Sequence, residues 1–263
     1  MTKIIFLGNG SAMSTDSYNS CFFIKNDKFN LLVDTAGGHE IIKQLDENKI
    51  KINDINNIFI SHSHCDHLFG FNFLLREMIT KLKDNDKQVN IFCSELIKKN
   101  IETLINMDIP KYLDKAMSLI KFNIINTGEK VMLDNTSLLF FDTKNPTNEQ
   151  YGICINTKDK KICYTGDEAG NPDNFKLIED SDLLIHEAFC TETSDDIELA
   201  KERLHCTAKD AGIIAQKTRQ KKLALVHRED SSQESINLLK EEASKEFSNE
   251  IIVPKDGDSL GLN

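Results

Sequence analysis

The segment 62–67 brings three histidines and one aspartate together, at positions His62, His64, Asp66 and His67. His62 and His64 stand two residues apart directly behind an apolar run, so both imidazoles can project to the same side. Asp66 and His67 follow after a turn and can serve a second ion about 3.5–4 Å away, the spacing of two-metal hydrolytic sites. Imidazoles and carboxylates suit Zn²⁺, Fe or Mn²⁺, and Zn²⁺ is favoured because it accepts a low coordination number. A polar turn without a metal is disfavoured, because the whole chain holds only seven histidines.

Three other apolar runs also end at residues that can bind a metal or transfer a proton. Run 162–164 leads to Asp167, run 183–185 to His186 and Glu187, and run 223–226 to His227. Strand ends hold such groups more rigidly than loops do, and several strand ends can converge on one cleft. Each residue alone has an ordinary alternative, since Asp167 could be a turn residue and either histidine a hydrogen-bonded core residue. Their common position behind apolar runs favours one shared site with the 62–67 segment.

Two further kinds of residue lie near these candidates. Asp34 closes the apolar run 31–33, and it is either an acceptor that orients a ligand histidine or a turn residue. Cys65 and Cys206 stand beside candidate site histidines, and we interpret both as thiols without a role in the chemistry.

The elements that must position these residues follow from the apolar pattern. Runs of strand length, bounded by Gly, Asn, Asp or Lys, cover residues 4–7, 21–24, 31–33, 58–60, 89–93, 122–125, 138–141, 151–155, 162–164, 183–185 and 223–226. A 3.6-residue apolar period predicts helices over 71–82 and 97–105. Capping-box patterns at 207–210 and 231–234 predict the starts of two later helices. The order of elements predicts an α/β or α+β sandwich, with sheets inside and helices outside.

The composition is that of an ordinary globular chain of 263 residues, 40% hydrophobic and 28% charged. One domain spanning residues 1–263 is expected, because no low-complexity linker divides the chain. The net charge of −10 disfavours a dominant role in binding nucleic acid or an anionic membrane. Seven scattered cysteines without a C-x-x-C pair do not indicate a disulfide framework. The short apolar start, and the lack of any stretch of about 18 apolar residues, predict a reduced, cytoplasmic protein.

The pattern His62-x-His64-x-Asp66-His67 is the signature of the metallo-β-lactamase superfamily, which the sequence resembles along nearly its whole length. Segments 5–12, 31–34, 164–167, 183–188, 205–208 and 225–227 resemble the branch that contains ribonuclease Z and related phosphodiesterases. The resemblance implies an αβ/βα four-layer sandwich, in which two mixed β-sheets face each other under helices on both outer faces. It also implies a hydrolase that uses a metal-activated water.

The resemblance assigns a role to each candidate residue. The residues implied to hold one or two zinc ions are His62 and His64 for metal one, Asp66, His67 and His227 for metal two, and Asp167 as a bridge. Asp66 is also the implied proton acceptor. The residues implied to contact or protonate the departing group are His186, Glu187 and His205.

The sequence departs from the family pattern in two places. The family has a third histidine for metal one after run 138–141, and Asn145 stands at that position here. Because an amide oxygen is a poorer zinc ligand than imidazole, metal one could be weak, replaced by a harder ion, completed by Asp142 or Glu149, or absent. Ribonuclease Z also carries a long tRNA-gripping arm between the equivalents of Gly152 and Asp167, where this sequence has room only for a tight hairpin.

Three functions remain open from the sequence. A phosphodiesterase acting on a small or medium substrate, such as a cyclic nucleotide, is the leading interpretation, and tRNA is disfavoured by the missing arm and the net charge. A hydrolase of lactones, thioesters or amides is the second, because the same fold supports these reactions. A non-catalytic metal or redox sensor, with iron and the nearby cysteines, is the third. A homodimer is possible, and no membrane partner is expected.

Overall fold

The structure is a computed structural model that describes residues 1–82, 88–167 and 170–262. Within these ranges the strands are β1 (Thr2–Gly8), β2 (Cys21–Lys25), β3 (Asn30–Val33), β4 (Asn57–Phe59), β5 (Val89–Cys93), β6 (Ile120–Ile124), β7 (Lys130–Leu133), β8 (Thr136–Asp142), β9 (Tyr151–Asn156), β10 (Lys161–Tyr164), β11 (Leu183–Glu187), β12 (Lys222–Val226), β13 (Glu250–Ile252) and β14 (Ser259–Leu262). The α-helices are α1 (Glu40–Glu47), α2 (Cys65–Leu68), α3 (Gly70–Lys81), α4 (Glu95–Asp108), α5 (Leu113–Leu119), α6 (Phe175–Ile178), α7 (Ile197–Glu202), α8 (Ala208–Lys217) and α9 (Gln233–Ser244).

The strands form two mixed sheets of seven strands each. The first sheet has the order β14-β1-β2-β3-β4-β5-β6, and the second has the order β13-β12-β11-β10-β9-β8-β7. In the first sheet β3, β4, β5 and β6 are parallel neighbours. In the second sheet β10, β11, β12 and β13 are parallel neighbours. The remaining neighbours within each sheet are antiparallel, so each sheet is half parallel and half antiparallel.

Three hydrophobic layers hold the two sheets and the helices together. The central layer lies between the sheets and contains Phe6 and Phe22 from one sheet with Phe140 and Tyr164 from the other. A second layer packs the first sheet against α1, α3, α4 and α5, and a third packs the second sheet against α8 and α9. Strands covered on both faces must be apolar at successive positions, which explains the unbroken runs in the sequence. The expected four-layer metallo-β-lactamase sandwich is confirmed.

Helix capping follows the sequence with one shift. Thr207 Oγ1 accepts a hydrogen bond from the Asp210 amide at 3.2 Å, and Asp210 Oδ2 accepts one from the Thr207 amide at 3.1 Å, so the shorter Asp completes a capping box. At α9 the cap is Ser232, whose side chain accepts from the Ser235 amide. This cap lies one residue later than the pattern at 231–234 predicts.

The cysteines require a correction. Cys154 and Cys163 form a disulfide, because they stand directly opposite each other on the neighbouring antiparallel strands β9 and β10. No sequence pattern predicts this pair, because the contact arises from the register of the hairpin. Within the described part of the chain, no helix is both long and apolar enough to cross a membrane.

Candidate metal centre

Four strands deliver the candidate residues to one edge of the sandwich. β10, β11 and β12 are parallel, so their carboxyl ends meet at the same edge of the second sheet. Asp167 follows β10, Glu187 ends β11 and His227 follows β12. In the first sheet, β4 runs through residues 60 and 61 to His62, and the helix α2 then carries Asp66 and His67. The site therefore lies where the ends of both sheets converge.

A single carboxylate oxygen lies at the middle of the cluster. Asp167 Oδ2 lies 3.0 Å from His67 Nε2, 3.1 Å from His227 Nε2 and 3.5 Å from His62 Nε2. Asp66 Oδ2 lies 3.3 Å from both His67 Nε2 and His227 Nε2. All five side chains are buried, and the structure thus brings together residues that are up to 165 positions apart, from 62 to 227.

Two groups of potential ligands share Asp167. The first, which we call the buried subsite, consists of Asp66, His67, Asp167 and His227, and all four are buried. The second, the open subsite, consists of His62, His64 and Asp167, and its His64 is exposed to solvent. Within each group the ligand atoms lie within 4.8 Å of one another. His62 Nε2 and His64 Nδ1 are 3.0 Å apart, close enough to bind one ion together.

Asp34 orients His67 from behind. Asp34 Oδ2 lies 2.8 Å from His67 Nδ1, which leaves His67 Nε2 facing the cluster. The same carboxylate accepts hydrogen bonds from the Ser61 amide at 2.7 Å, the Ser61 hydroxyl at 2.8 Å and the Tyr164 hydroxyl at 3.2 Å. Of the two interpretations that the sequence left open, the structure favours the orienting acceptor. A carboxylate behind a metal-binding histidine fixes its tautomer and increases its basicity.

The backbone at His227 is also specialised. His227 has φ of 57°, in the left-handed region that residues with a side chain rarely adopt. Such a conformation costs about 1–3 kcal/mol and persists where the surrounding structure enforces it, often at functional sites. Here it turns the imidazole back from the end of β12 toward Asp66 and Asp167.

The ionisable side chains of the cluster strongly shift one another's pKa. Burial alone would lower the pKa of His67, but the surrounding carboxylates, chiefly that of Asp167, raise it well above its ordinary value. Against the same effect of burial, Asp167 raises the pKa of His227 to about 10. Burial would raise the pKa of Asp66 and Asp167, but the neighbouring imidazoles hold both below their usual range. Burial lowers the pKa of His62 well below its ordinary value, so this ring is neutral. Nearby positive charge therefore stabilises the ionised carboxylates of Asp66 and Asp167.

A divalent cation fits this donor set. His67 Nε2 and Asp167 Oδ1 are buried, and neither makes a hydrogen bond of normal geometry with a described residue, although His67 Nε2 lies 3.0 Å from Asp167 Oδ2. Two imidazoles face the same carboxylate oxygen, so one cation could replace the protons that they would otherwise hold. Nitrogen and oxygen donors of this kind are those that Zn²⁺ binds in catalytic sites.

A cavity of about 350 Å³ opens onto the cluster. Its walls are formed by Ser11, Ala12, Met13, His64, Cys65, Asp66, Asn145, Thr147, Gln150, Asp167, Phe189, Arg203, His205 and His227. His205 is fixed in this wall by two neighbours. Its Nδ1 lies 2.7 Å from Glu187 Oε2, and its ring is stacked on Phe189 at 4.8 Å between centroids. Glu187 Oε2 also lies 3.6 Å from His227 Nδ1, so one buried carboxylate contacts both histidines.

The expectation for His186 needs correction, because the structure does not bring it to the cavity. His186 is fully buried, and its Nδ1 is paired with the Glu187 carbonyl oxygen at 2.8 Å. Successive residues of a strand point to opposite faces, so His186 faces the helical layer while Glu187 faces the cluster. Burial lowers the pKa of His186, which keeps the ring neutral. The alternation of a strand predicts that the two residues face opposite sides, but the sequence alone does not tell which of them faces the cluster.

The residues considered for the missing ligand are placed differently from one another. Asn145 lines the cavity, but its Oδ1 accepts hydrogen bonds within its own loop, from the Thr147 amide at 2.9 Å and the Thr147 hydroxyl at 2.8 Å. Asp142 pairs with Lys144 at 2.9 Å. Glu149 Oε2 accepts from the Ser94 hydroxyl at 3.2 Å. Neither carboxylate lines the cavity, so neither is positioned to complete the open subsite.

Several cavity residues were not identified from the sequence. Gln150, Arg203 and Phe189 have no motif of their own; Gln150 precedes β9, Phe189 follows β11 and Arg203 follows α7. The only sequence signal for Arg203 and Phe189 was their closeness in the chain to candidate site residues. Arg203 stands two residues before His205, and Phe189 stands two residues after Glu187. Cys65 lines the cavity, whereas Cys206 is buried in the hydrophobic layer between the second sheet and its helices.

Comparisons with known proteins agree with this fold. A ribonuclease Z from Halorubrum lacusprofundi is 22% identical over 312 aligned positions, which cover 98% of this chain and 96% of that protein. The crystal structure of the metallo-β-lactamase fold protein YhfI from Bacillus subtilis superposes with a TM-score of 0.79 at 19% identity and covers 98% of both chains. The structure of a diphosphatase from the PhnP family has a TM-score of 0.75 at 18% identity, covering 100% of this chain and 98% of that one.

The sequence profile of the family described as Anti-Pycsar protein Apyc1 matches residues 2–250. This match covers nearly the whole chain, including every residue of both subsites and the cavity wall. The resemblance to the ribonuclease Z branch is confirmed by the curated relatives, and the metallo-β-lactamase fold by the solved structures. The chain belongs to the Anti-Pycsar protein Apyc1 family, within the metallo-β-lactamase fold.

Proposed function

We propose that this protein is a metal-dependent hydrolase that cleaves phosphodiester bonds in small substrates, with a cyclic nucleotide as the leading candidate. One observation carries the proposal: the imidazole of His205, held by Glu187, lines the same cavity as Asp66, Asp167 and His227 of the buried subsite and His64 of the open subsite. A substrate in this cavity can lie against the candidate metal ligands and against His205, the proposed proton donor, at the same time. The relatives named ribonuclease Z and diphosphatase support a reaction at phosphorus.

The roles of the residues follow from their contacts. Bound Zn²⁺ would supply Lewis acidity and a water of lowered pKa. Asp66 is the proposed acceptor of the proton that the attacking water loses, because its carboxylate lines the cavity and lies 3.3 Å from the imidazoles of His67 and His227. His205 is the proposed donor to the departing oxygen. Its Nδ1 pairs with Glu187, so Nε2 is the nitrogen that remains for the substrate.

The charge and size of the cavity favour a small phosphodiester. Arg203 is the one Lys or Arg side chain in the cavity wall within the described residues, and a guanidinium pairs well with phosphate oxygens. A volume of about 350 Å³ lies at the small end of the range for ligand sites. We propose that tRNA is not the substrate, since β9 and β10 are joined by a tight turn over residues 157–160 and the chain carries a net charge of −10.

The test is hydrolysis by purified, metal-loaded protein. We expect protein loaded with Zn²⁺ or Mn²⁺ to cleave bis(p-nitrophenyl) phosphate and cyclic nucleotides. Asp66→Ala and His67→Ala are expected to abolish cleavage, because each removes a group of the buried subsite. Failure across a panel of phosphodiesters, with metal verified in the same sample, would contradict the proposal.

Parallel assays separate the other two functions. A lactone, thioester and amide panel tests for hydrolysis at carbon, and such an enzyme should lose little when His205 is changed to Ala. Metal analysis and an absorption spectrum of anaerobically purified protein test for a sensor, since bound iron with oxygen-dependent bands would favour that role and colourless zinc a hydrolase.

A further inference from the structure

Gln150 is fixed beside the open subsite by its main chain. It is the last residue before β9, and its carbonyl oxygen accepts a hydrogen bond from the Thr143 amide at 3.0 Å. The next residue, Tyr151, donates its amide to the Ser61 carbonyl oxygen at 3.0 Å. Because Ser61 directly precedes His62, the position of Gln150 is tied to the strand end that carries the open subsite.

The side chain of Gln150 is buried, yet its amide nitrogen is unsatisfied. Gln150 is only 1% exposed and lines the cavity. Its Nε2 has no hydrogen-bond partner among the described residues. A buried donor without a partner loses its hydration and gains nothing in return, so such groups are rare and usually meet a ligand or an ordered water.

The amide lies against the backbone that presents Asp167. A methyl group at Gly166 would come within 2.6 Å of Gln150 Nε2, so only glycine leaves room for the amide there. Gly166 also has φ of +69°, and Asp167 is the next residue. The donor therefore lies beside the residue that both subsites share.

The other two residues of this loop in the cavity wall, Asn145 and Thr147, have partners within the loop. Thr143 Oγ1 and Asn148 Nδ2 lack partners among the described residues, but they belong to residues outside that wall. Asn145 Oδ1 and Thr147 Oγ1, which also belong to residues in the cavity wall, are hydrogen-bonded to each other at 2.8 Å. Among the loop residues of the cavity wall, Gln150 thus differs in having an unused donor, and that donor lies beside Asp167. A donor close to a cation site suits an anion that binds the cation through one oxygen and the amide through another.

We infer that Gln150 is a phosphate-binding residue, whose side-chain amide donates a hydrogen bond to a phosphoryl oxygen beside Asp167. The inference deepens the proposed function and rests on it for the identity of the substrate. It adds a contact made by the chain itself and independent of the metal ligands. Its signature is a loss of affinity for phosphate without a loss of metal.

The experiment uses inorganic phosphate as the probe. Metal-loaded wild-type protein, Gln150→Met and Gln150→Glu are titrated with phosphate by calorimetry, after the metal content of each sample is measured. Met keeps the volume and removes both polar atoms, whereas an ionised Glu keeps the acceptors and removes the donors. Both variants are expected to retain the wild-type metal content and to bind phosphate about 10- to 100-fold more weakly. Gln233→Met, the same substitution at an exposed position of α9 outside the cavity wall, should match the wild type.

Four outcomes would overturn the inference: unchanged phosphate affinity in Gln150→Met, no phosphate binding by the wild type, wild-type affinity in Gln150→Glu, or loss of metal in Gln150→Met. The last would mean that Gln150 is a metal ligand instead. The proposed function fails separately. A protein that binds phosphate through Gln150 but cleaves no phosphodiester would retain this site and lose the hydrolase proposal. If the protein cleaves phosphodiesters and Gln150→Met leaves the KM unchanged, the hydrolase proposal stands and the phosphate-binding role of Gln150 is lost.

Discussion

The buried and open subsites share Asp167 but are built differently. The buried subsite takes Asp66 and His67 from one sheet's edge and His227 from the other's, and all of its groups are shielded from water. Its His67 is held from behind by Asp34 at 2.8 Å. The open subsite has two histidines and Asp167, its His64 faces solvent, and the Asn145 oxygen is engaged in its own loop.

This difference indicates that the affinity for a metal ion depends on how firmly the ligands are held as well as on their number. Fixed ligands lose little freedom when an ion binds, and a dry environment strengthens their attraction to it. The open subsite, with an exposed imidazole and no third histidine, has neither firmly fixed ligands nor a dry environment. We therefore expect an ion in the buried subsite to be held tightly and one in the open subsite to be held weakly.

The largest effect is expected from Asp167→Asn, which removes the charge common to both subsites. Asp167 Oδ2 lies within 3.5 Å of three imidazole nitrogens, so its loss weakens both ions together. Since metal catalysis supplies several kcal/mol, phosphodiester cleavage should fall by about 10³-fold or more. Metal content and turnover of bis(p-nitrophenyl) phosphate measure this. A variant that loses only one ion and keeps its activity would break the comparison, because the subsites would then not share Asp167.

A smaller and one-sided effect is expected from Asp34→Asn. Removing a carboxylate behind a ligand histidine typically lowers metal affinity by about 10- to 100-fold. The effect should fall on the buried subsite, because Asp34 contacts His67 directly. Among the described contacts, Asp34 reaches the open subsite only indirectly, through Ser61, the residue before His62. Titration of the loaded protein with a competing chelator measures the affinity of each ion.

Tyr164→Phe is the matched control for Asp34→Asn. It removes one 3.2 Å hydrogen bond to Asp34 but leaves the contact between Asp34 and His67 in place. Its effect on the tightly held ion should be smaller than that of Asp34→Asn. Equal effects would mean that the packing around Asp34, and not the carboxylate itself, supports the buried subsite.

The smallest effect is expected from Asn145→His, which adds an imidazole at the cavity wall near the open subsite. The new ring must leave the loop hydrogen bonds that Asn145 makes, so the gain in affinity for the weaker ion should be modest, about tenfold. The affinity of the tightly held ion should not change. Metal titration of the variant beside the wild type measures both.

Glu149→Gln is the control for the same loop. Glu149 contacts Ser94 and Tyr151 and does not line the cavity, so neither ion should change in affinity. A weaker second ion in Glu149→Gln would show instead that this carboxylate moves to complete the open subsite.

The sequence predicted the centre of the fold better than its edges. Each of the eleven apolar runs lies in or overlaps a strand, because a strand buried on both faces needs an unbroken apolar sequence. The three strands without a prediction, β7, β13 and β14, all lie at sheet edges. An edge strand such as β7 alternates exposed and half-buried residues, so it carries a much weaker hydrophobic signal.

The site followed the same rule. That the candidate ligands come together could be predicted, because each lies at or just after a strand end or in one dense motif. Position alone could not tell which way adjacent residues face, and His186 and Glu187 therefore received the same role although they point to opposite sides of β11. Gln150 escaped prediction because its place beside Asp167 depends on how two loops pack.

Metal titration of the wild-type protein tests the central claim most directly. Protein stripped with a chelator is dialysed and titrated with Zn²⁺, and the bound ions per chain are counted in wild type, His64→Ala and His227→Ala. The account predicts a tight ion that survives in His64→Ala and is lost in His227→Ala, followed by a weaker one. Absence of metal uptake under all loading conditions, or two ions equally sensitive to both substitutions, would contradict it.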